Sequence, residues 1–450
     1  MKGSKHMKGS KDMKRKHTEA WGGEPGKEAW GRGSEQEELA EPFNPAWKRE
    51  WNEPNLSRRQ THKLINKHMK LINKYLRSGP SLRSFDKYSQ NQNLEIYTKS
   101  ATLKASSSVV SIEFKRYTSA GGMSGIDAMF QCSGFILENV YKGSIILTTA
   151  DLLKASKNLK ADDIKVEVHL SDGRSFDGQV EVYDLYYNIA AIKIHSDMPL
   201  PTASLAHLND SITVDPRHSV KAESFQLRPH ANSLDLIPGD LVIALGRFPI
   251  EPYSIMAAPG LFSIDRFEHC LLQCKELFTA SCIITWCGIG GPLISRSGEV
   301  IGISLKIDIS TTAFLPINIA SIWWEHYKKH GQTQQLWFGM EVTNLYAARL
   351  DVLESIIQKF PDVLEGVIVE DVVRGSSAES AGIKQHDVII QFSGKRIQSF
   401  LELFENMWNK VGEAVELVVV RASDDVPLHL SMVVEKEVKK SGYTLYDYDE

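Results

Sequence analysis

The residues with most chemical potential lie close together late in the first two thirds of the chain. His269, Cys270, Cys274, Cys282 and Cys287 lead into the glycine-rich stretch Gly288-Ile289-Gly290-Gly291-Pro292. Imidazoles and thiolates hold soft metals, and a thiolate is also a nucleophile. The metal reading fits poorly, because Cys270-x₃-Cys274 and Cys282-x₄-Cys287 differ from the C-x₂-C spacing of a zinc knuckle. These thiols are read as structural, with no metal and no cofactor expected. The nucleophile reading singles out Cys287, which needs a neighbouring base or cation to become a thiolate. Five cysteines in 450 residues make no disulfide framework, so the thiols are read as reduced and the chain as intracellular, with cytoplasm or nucleus favoured over an organelle, which stays open.

The elements that must position these residues are mostly strands. Val109 to Phe114, the segments around Phe135 to Leu153, Val166 to Leu170, Val180 to Ile194, Leu241 to Leu245 and Val300 to Ile307 are short β runs. Asp172-Gly173 supplies a hairpin turn. Many short strands with close turn signals predict a β sandwich or a pair of barrels over residues 101–330, closed by a helix around Trp323 and Trp324. A second unit over residues 336–436 mixes both kinds of element. It reads as strand Phe338 to Val342, helix Leu345 to Phe360, strand Gly366 to Val372, strand Val388 to Phe392, helix Phe400 to Lys410 and two final strands. The first of these helices is expected to place Leu345, Leu350, Leu353, Ile356, Ile357 and Phe360 near one face.

Composition bounds the rest. The chain is 42% hydrophobic and 24% charged with a formal charge of −4, which argues for a soluble globular protein and against nucleic acid as a partner. No run reaches the about 18 apolar residues of a membrane span. Residues 1–55 are polar and expected to be disordered, as are residues 437–450. Lys14-Arg15-Lys16-His17 reads either as a nuclear address or as a solvated basic tail. Within 56–100, Leu64, Ile65, Met69, Leu71, Ile72 and Leu76 recur at helical spacing among basic residues, giving an amphipathic helix for the body, a partner or a membrane surface.

Three segments, in order, resemble the catalytic regions of the HtrA/Deg serine proteases. Ile145-Ile146-Leu147-Thr148-Thr149-Ala150-Asp151 is similar to the family's strand ending Thr-x-Ala-His. Asn188-Ile189-Ala190-Ala191-Ile192-Lys193-Ile194 is similar to Asp-Ile-Ala-Val-Leu-Lys-Ile. Gly288 to Leu293, followed by Gly298-Glu299-Val300-Ile301-Gly302-Ile303, is similar to the Gly-Asn-Ser-Gly-Gly-Pro-Leu loop and its strand. Ala244-Leu245-Gly246-Arg247-Phe248-Pro249 resembles the Leu-Gly-x-Pro turn. The resemblance implies a trypsin-like double β-barrel, and it puts Asp151 at the histidine position, Asn188 at the aspartate position and Ile289 at the serine position. A triad needs a hydroxyl nucleophile, an imidazole base and a carboxylate that orients it. Losing nucleophile or base alone costs about 10⁶-fold in such an enzyme. Cys287 falls on an oxyanion-hole glycine, where a side chain is expected to bring strain or to turn the amide away. Asp151, an anion, works against a Cys287 thiolate. The expectation is therefore a chain that is not an enzyme, with serine-type endopeptidase as the alternative.

The second unit resembles an HtrA-type PDZ domain. Phe338-Gly339-Met340, Phe360-Pro361-Asp362-Val363 and Ala381-Gly382-Ile383 through Asp387-Val388-Ile389 carry the match. The resemblance implies that Phe338, Gly339 and Met340 form the loop that takes a peptide C-terminal carboxylate, with Leu401, Phe404 and Trp408 on the groove wall. Two uses stand: recognition of peptide or protein C-termini, and docking within the molecule. The family also implies a homotrimer, or mixed oligomers with active relatives; Phe85, Tyr88 and Tyr97 are the aromatic residues near the start of the protease-like region.

Overall fold

The computed structural model describes residues 94–118, 125–154, 164–217, 233–263, 274–306 and 311–436. The tails, the amphipathic stretch Ser57 to Arg77, Phe85, Tyr88, His269 and Cys270 lie outside them. The first element is a helix, α1 (Ile96–Ser106), where a linker is expected; it buries Ala101 and Ala105 and leaves Tyr97 exposed.

Strands β1 (Val109–Thr118), β2 (Gly125–Val140), β3 (Gly143–Thr149), β4 (Ile164–His169), β5 (Ser175–Asp184) and β6 (Ile189–His195) close a barrel in the order β1-β2-β3-β6-β5-β4. A short helix, α2 (Asp151–Lys154), follows β3. The β-branched alternation of β1, β4 and β6 places Val110, Ile112, Val166, Val168, Ile192 and Ile194 inside, around Ile136 and Ile146. Two short parallel strands, β7 (Leu208–Asn209) and β8 (Leu234–Asp235), lead to the second barrel. It comprises β9 (Leu241–Arg247), β10 (Ile255–Ser263), β11 (Phe278–Ala280), β12 (Pro292–Ile294), β13 (Val300–Lys306) and β14 (Thr312–Pro316), ordered β10-β11-β14-β13-β12-β9. The helix α3 (Ile317–His330) buries Trp323 and Trp324, carries Lys328, Lys329 and His330 in its last turn and stops at Gly331, whose φ of 68° is the left-handed cap.

The second unit opens with β15 (Leu336–Trp337) and β16 (Met340–Asn344). A 3₁₀ turn at Leu345–Ala347 precedes α4 (Leu350–Lys359), β17 (Val367–Val372), α5 (Ser377–Ser380), β18 (Val388–Phe392) and β19 (Lys395–Arg396). Then come α6 (Phe400–Trp408), β20 (Ala414–Val420), β21 (Leu428–Val433) and β22 (Glu435–Lys436). Its main sheet runs β16-β17-β18-β20-β21, so β16 is an edge strand. The single helix expected from Leu345 to Phe360 is corrected to a turn and a helix. The Leu345 amide is drawn to the Gly366 carbonyl at 2.9 Å, and Ala348 is extended. Leu350 consequently leaves the apolar face and is 84% exposed, while Leu353 and Ile356 stay buried. The strand expected at Phe338 instead begins at Met340, because Gly339 turns the chain with φ of 67°.

Both units share one continuous apolar core. It runs from Leu245 and Phe314 of the second barrel through Tyr187 to Phe338, Phe404 and Trp408.

Candidate functional site

The segments that carry Asp151, Asn188 and Ile289, the residues expected at the triad positions, meet along β2, β3 and β6. The Ala150 amide donates to the Asn188 carbonyl at 3.1 Å, which sets the start of α2 beside the start of β6. The Ile289 carbonyl accepts the Ser133 amide at 2.8 Å. A Cβ at position 290 would lie 2.5 Å from Thr148 Oγ1 and 2.6 Å from the Ser133 carbonyl, and Gly290 has φ of 74°. Only glycine allows that approach of the loop to β2 and β3. The locus therefore presents a half-buried Asp151, a buried Asn188 at φ of 54° and an Ile289 that is 9% exposed. Neither Asn188 Nδ2 nor Oδ1 has a hydrogen-bond partner among the described residues, and the same holds for Ser304 Oγ. The Ile289 side chain has no nucleophilic atom.

The oxyanion loop is folded into a 3₁₀ turn, Trp286–Gly288. The Ile289 amide, which an oxyanion hole at this loop would need as a donor, donates to the Trp286 carbonyl at 3.2 Å. Of the two outcomes expected at Cys287, strain or a turned amide, strain does not arise, since the residue takes no left-handed conformation in this turn. Cys287 is fully buried, with Sγ 2.8 Å from Thr285 Oγ1 and 3.8 Å from Met256 Sδ. The Ser133 hydroxyl donates to the Cys287 carbonyl and accepts the Arg247 amide at 2.7 Å. Arg247 in turn donates at 2.6 Å to the carbonyls of Val109, Tyr253 and Ser106, joining α1 and β1 to the second barrel. Its burial lowers the guanidinium to about 10. Burial drives the thiols the other way, Cys132 and Cys282 up to about 12.

In the PDZ unit, the glycine of Phe338-Gly339-Met340 has no room for a side chain, since a Cβ would come within 2.7 Å of Ser376 Cβ. Leu401, Phe404 and Trp408 share one face of α6 at i, i+3 and i+7 spacing, and all three are buried. Part of their cover comes from the barrel. Tyr187 meets Phe404 edge-on with centroids 6.4 Å apart and Trp408 at 6.3 Å. Its hydroxyl accepts the Leu336 amide at 3.2 Å. Asp210 Oδ2 accepts Asn344 Nδ2 at 2.7 Å, and Oδ1 accepts the Leu401 amide at 3.4 Å. Phe278 packs against Phe400, and Lys275 pairs with Glu341 at 2.9 Å.

Sequence reasoning missed a group on the first barrel. Glu113, Glu167 and His169 bring ligand-type atoms within 4.8 Å of one another, the one such group among the described residues. The register signal was there, since β1 and β4 pair Glu113 with Glu167. Lys115 Nζ already lies 3.1 Å from Glu113 and 2.9 Å from Glu167, so a cation of the chain itself neutralises them.

Two closed barrels joined at a loop of this geometry, followed by a PDZ sheet, define a trypsin-like peptidase fold with a PDZ domain. The pattern described as a trypsin-like peptidase domain matches residues 132–303, and that of a PDZ domain matches residues 338–432. The chain is 32% identical over 290 residues to Putative protease Do-like 14 of Arabidopsis thaliana, covering 62% of this chain and 59% of that protein. It is 27% identical over 319 residues to Serine protease HTRA1 of Xenopus tropicalis, covering 68% and 60%. Against Serine protease HTRA4 of Homo sapiens the identity is 26% over 308 residues, covering 66% and 58%. The chain thus spans about three fifths of the length of these curated relatives. A solved HtrA-type protease, AlgW with decapeptide, is 18% identical with a TM-score of 0.45, covering 76% of this chain and 99% of that one. The two domain matches and these relatives together support the HtrA/Deg (Do-like) serine proteases as the family this chain resembles. The expectation of a chain that is not an enzyme is corrected here: these relatives are named serine proteases, which points to protease activity rather than to its loss. Among the described residues, no helix is long and apolar enough to cross a membrane.

Proposed function

We propose that this chain works in serine-type proteolysis and that its PDZ domain supplies recognition, taking peptide or protein C-termini between β16 and α6. The observation that carries the recognition reading is the edge strand β16, which among the described residues pairs with β17 alone and is entered through Gly339 at φ of 67°. An edge strand offers unpaired backbone groups to an added strand, and a glycine turn lets backbone amides approach a carboxylate. The endopeptidase reading rests on the names of the relatives; cleavage by this chain itself calls on a group other than the side chain of residue 289.

Two measurements on the full-length protein separate these parts. Calorimetric titration with a peptide ending in an apolar residue is expected to show binding that is lost when the C-terminus is amidated. Equal binding of both forms contradicts carboxylate recognition. Incubation with an unfolded protein, followed by mass spectrometry of new N-termini, tests cleavage; no new termini beyond those of the substrate alone contradicts the endopeptidase reading.

A further inference from the structure

We propose that the contact between the second barrel and the PDZ domain is a proton-controlled latch, with the buried carboxyl of Glu276 as its switch, closed in acid and loosened as pH rises. The inference stands apart from what the PDZ groove binds, because it concerns only how the two domains hold each other.

Glu276 is 3% exposed. Its Oε1 accepts the Tyr186 hydroxyl at 3.1 Å, and its Oε2 accepts the Cys274 thiol at 3.2 Å and the Lys275 amide at 3.0 Å. Among the described residues its partners are a phenol, a thiol and a backbone amide, none of them a cation. A carboxylate buried without a cation is costly, and such a group holds its proton instead. The one lysine beside it in sequence, Lys275, turns its ammonium away to Glu341 of β16.

The PDZ domain brackets this carboxyl. On one side Lys275 pairs with Glu341, and two residues on Phe278 packs against Phe400. On the other, Tyr186 lies next to Tyr187, whose ring touches Phe404 and Trp408. The charged and titratable groups facing the cluster are mainly acidic or neutral. The end of β5 contributes Asp184, which accepts the Tyr186 amide at 2.8 Å and the Gln335 side chain at 2.9 Å. The segment before β11 contributes Cys274, and α3 brings His326 against the far side of Trp408 at 5.7 Å. Asp210 sits at a second point of the same interface, satisfied by Asn344 and the Leu401 amide.

The direction follows from linkage. Burial pushes Glu276 up from 4.5 to about 7, and it raises Asp210 as well. A domain that swings away returns these carboxyls to water. The latched state therefore binds more protons than the open one between pH 4.5 and about 7. Wherever the open state binds fewer protons, raising the pH favours it. Over that window the opening equilibrium is expected to rise by about two orders of magnitude and then level off.

Amide hydrogen exchange on the full-length protein from pH 5 to 8 reads this directly. Exchange is expressed as protection relative to the unstructured chain, so that its intrinsic pH dependence cancels. The Leu401 and Leu336 amides, which donate across the interface, are expected to lose protection by about 100-fold as pH rises, while Leu147 and Ile192 inside the first barrel stay constant. Glu276→Gln keeps the size of the side chain and removes its titration, so its interface protection is expected to lose most of its pH dependence, leaving the smaller part due to Asp210. Asp210→Asn serves as the second variant and is expected to keep most of the pH dependence. Interface protection that is constant with pH in the unsubstituted protein overturns the proposal. So does an unchanged pH dependence in Glu276→Gln, or a parallel loss of protection inside the barrel.

Discussion

Asp210, in the loop after β7, and Asn344, at the end of β16, meet at 2.7 Å although 134 residues separate them in the chain. The same carboxylate reaches the Leu401 amide at the start of α6. One fully buried side chain thus ties a barrel loop to both β16 and α6 of the PDZ domain. Asp210→Ala removes the acceptor and leaves buried donors behind. The expected cost is about 1–3 kcal/mol, read as a lower denaturation midpoint together with faster exchange of the Leu401 amide.

Tyr187 separates packing from hydrogen bonding. Tyr187→Phe keeps the ring against Phe404 and Trp408 and loses only the acceptor for the Leu336 amide, a loss of about 1 kcal/mol. Tyr187→Ala also opens a cavity in the shared core, at about 3–5 kcal/mol. Denaturant titration of the two variants is expected to rank them in that order, with the alanine form the weaker by at least twofold in cost.

Among the described residues Arg247 has no carboxylate partner; three backbone carbonyls surround its guanidinium. Arg247→Met fills much of the volume but orphans those carbonyls, and several kcal/mol of destabilisation is expected, on the order of 3 kcal/mol or more. Arg247→Lys reaches fewer of them and falls between. Thermal unfolding of both variants checks the order.

The thiols offer a test by chemistry. With Cys132 and Cys282 pushed up to about 12 by burial, and Cys274 raised too, little thiolate exists at pH 8. Alkylation followed by peptide mass spectrometry is expected to leave these three unmodified in the native protein and fully modified in denaturant. Rapid native labelling of Cys132 or Cys282 contradicts their burial.

At the triad locus, Ile289→Ser restores a hydroxyl but not an imidazole, since Asp151 and Asn188 remain its neighbours at that site. The turn also keeps the amide of residue 289 on the Trp286 carbonyl. Hydrolysis of an unfolded protein by this variant is expected to differ from that of the unsubstituted chain by less than about tenfold. A gain of several orders of magnitude shows that the site still assembles a base and an oxyanion hole.

Local patterns made much of this legible. The alternation in β1 and β4, the Gly290-Gly291 loop and the apolar face of α6 all follow from neighbours in sequence, and each was readable as such. The helix break at Ala348 was hidden, because periodicity from Leu345 to Phe360 is continuous and only the pull of the distant Gly366 carbonyl interrupts it. The cover over Phe404 and Trp408 was equally hidden. Tyr187 reads as one more aromatic residue in a turn, and its role depends on a contact made more than two hundred residues away. At Cys287 the residue type left strain and a turned amide both open, because the cost of a side chain depends on the backbone adopted, here a 3₁₀ turn.

The most direct test of the account is fluorescence anisotropy of a labelled peptide with a free apolar C-terminus, titrated with the full-length protein and with Tyr187→Ala. If the groove reads C-termini and the barrel holds it closed, the variant binds at least about tenfold more tightly, the shift given by 1.4 kcal/mol of relieved docking. Amidation of the peptide abolishes binding to both. Absence of saturable binding to the variant, with its fold intact by circular dichroism, contradicts the account.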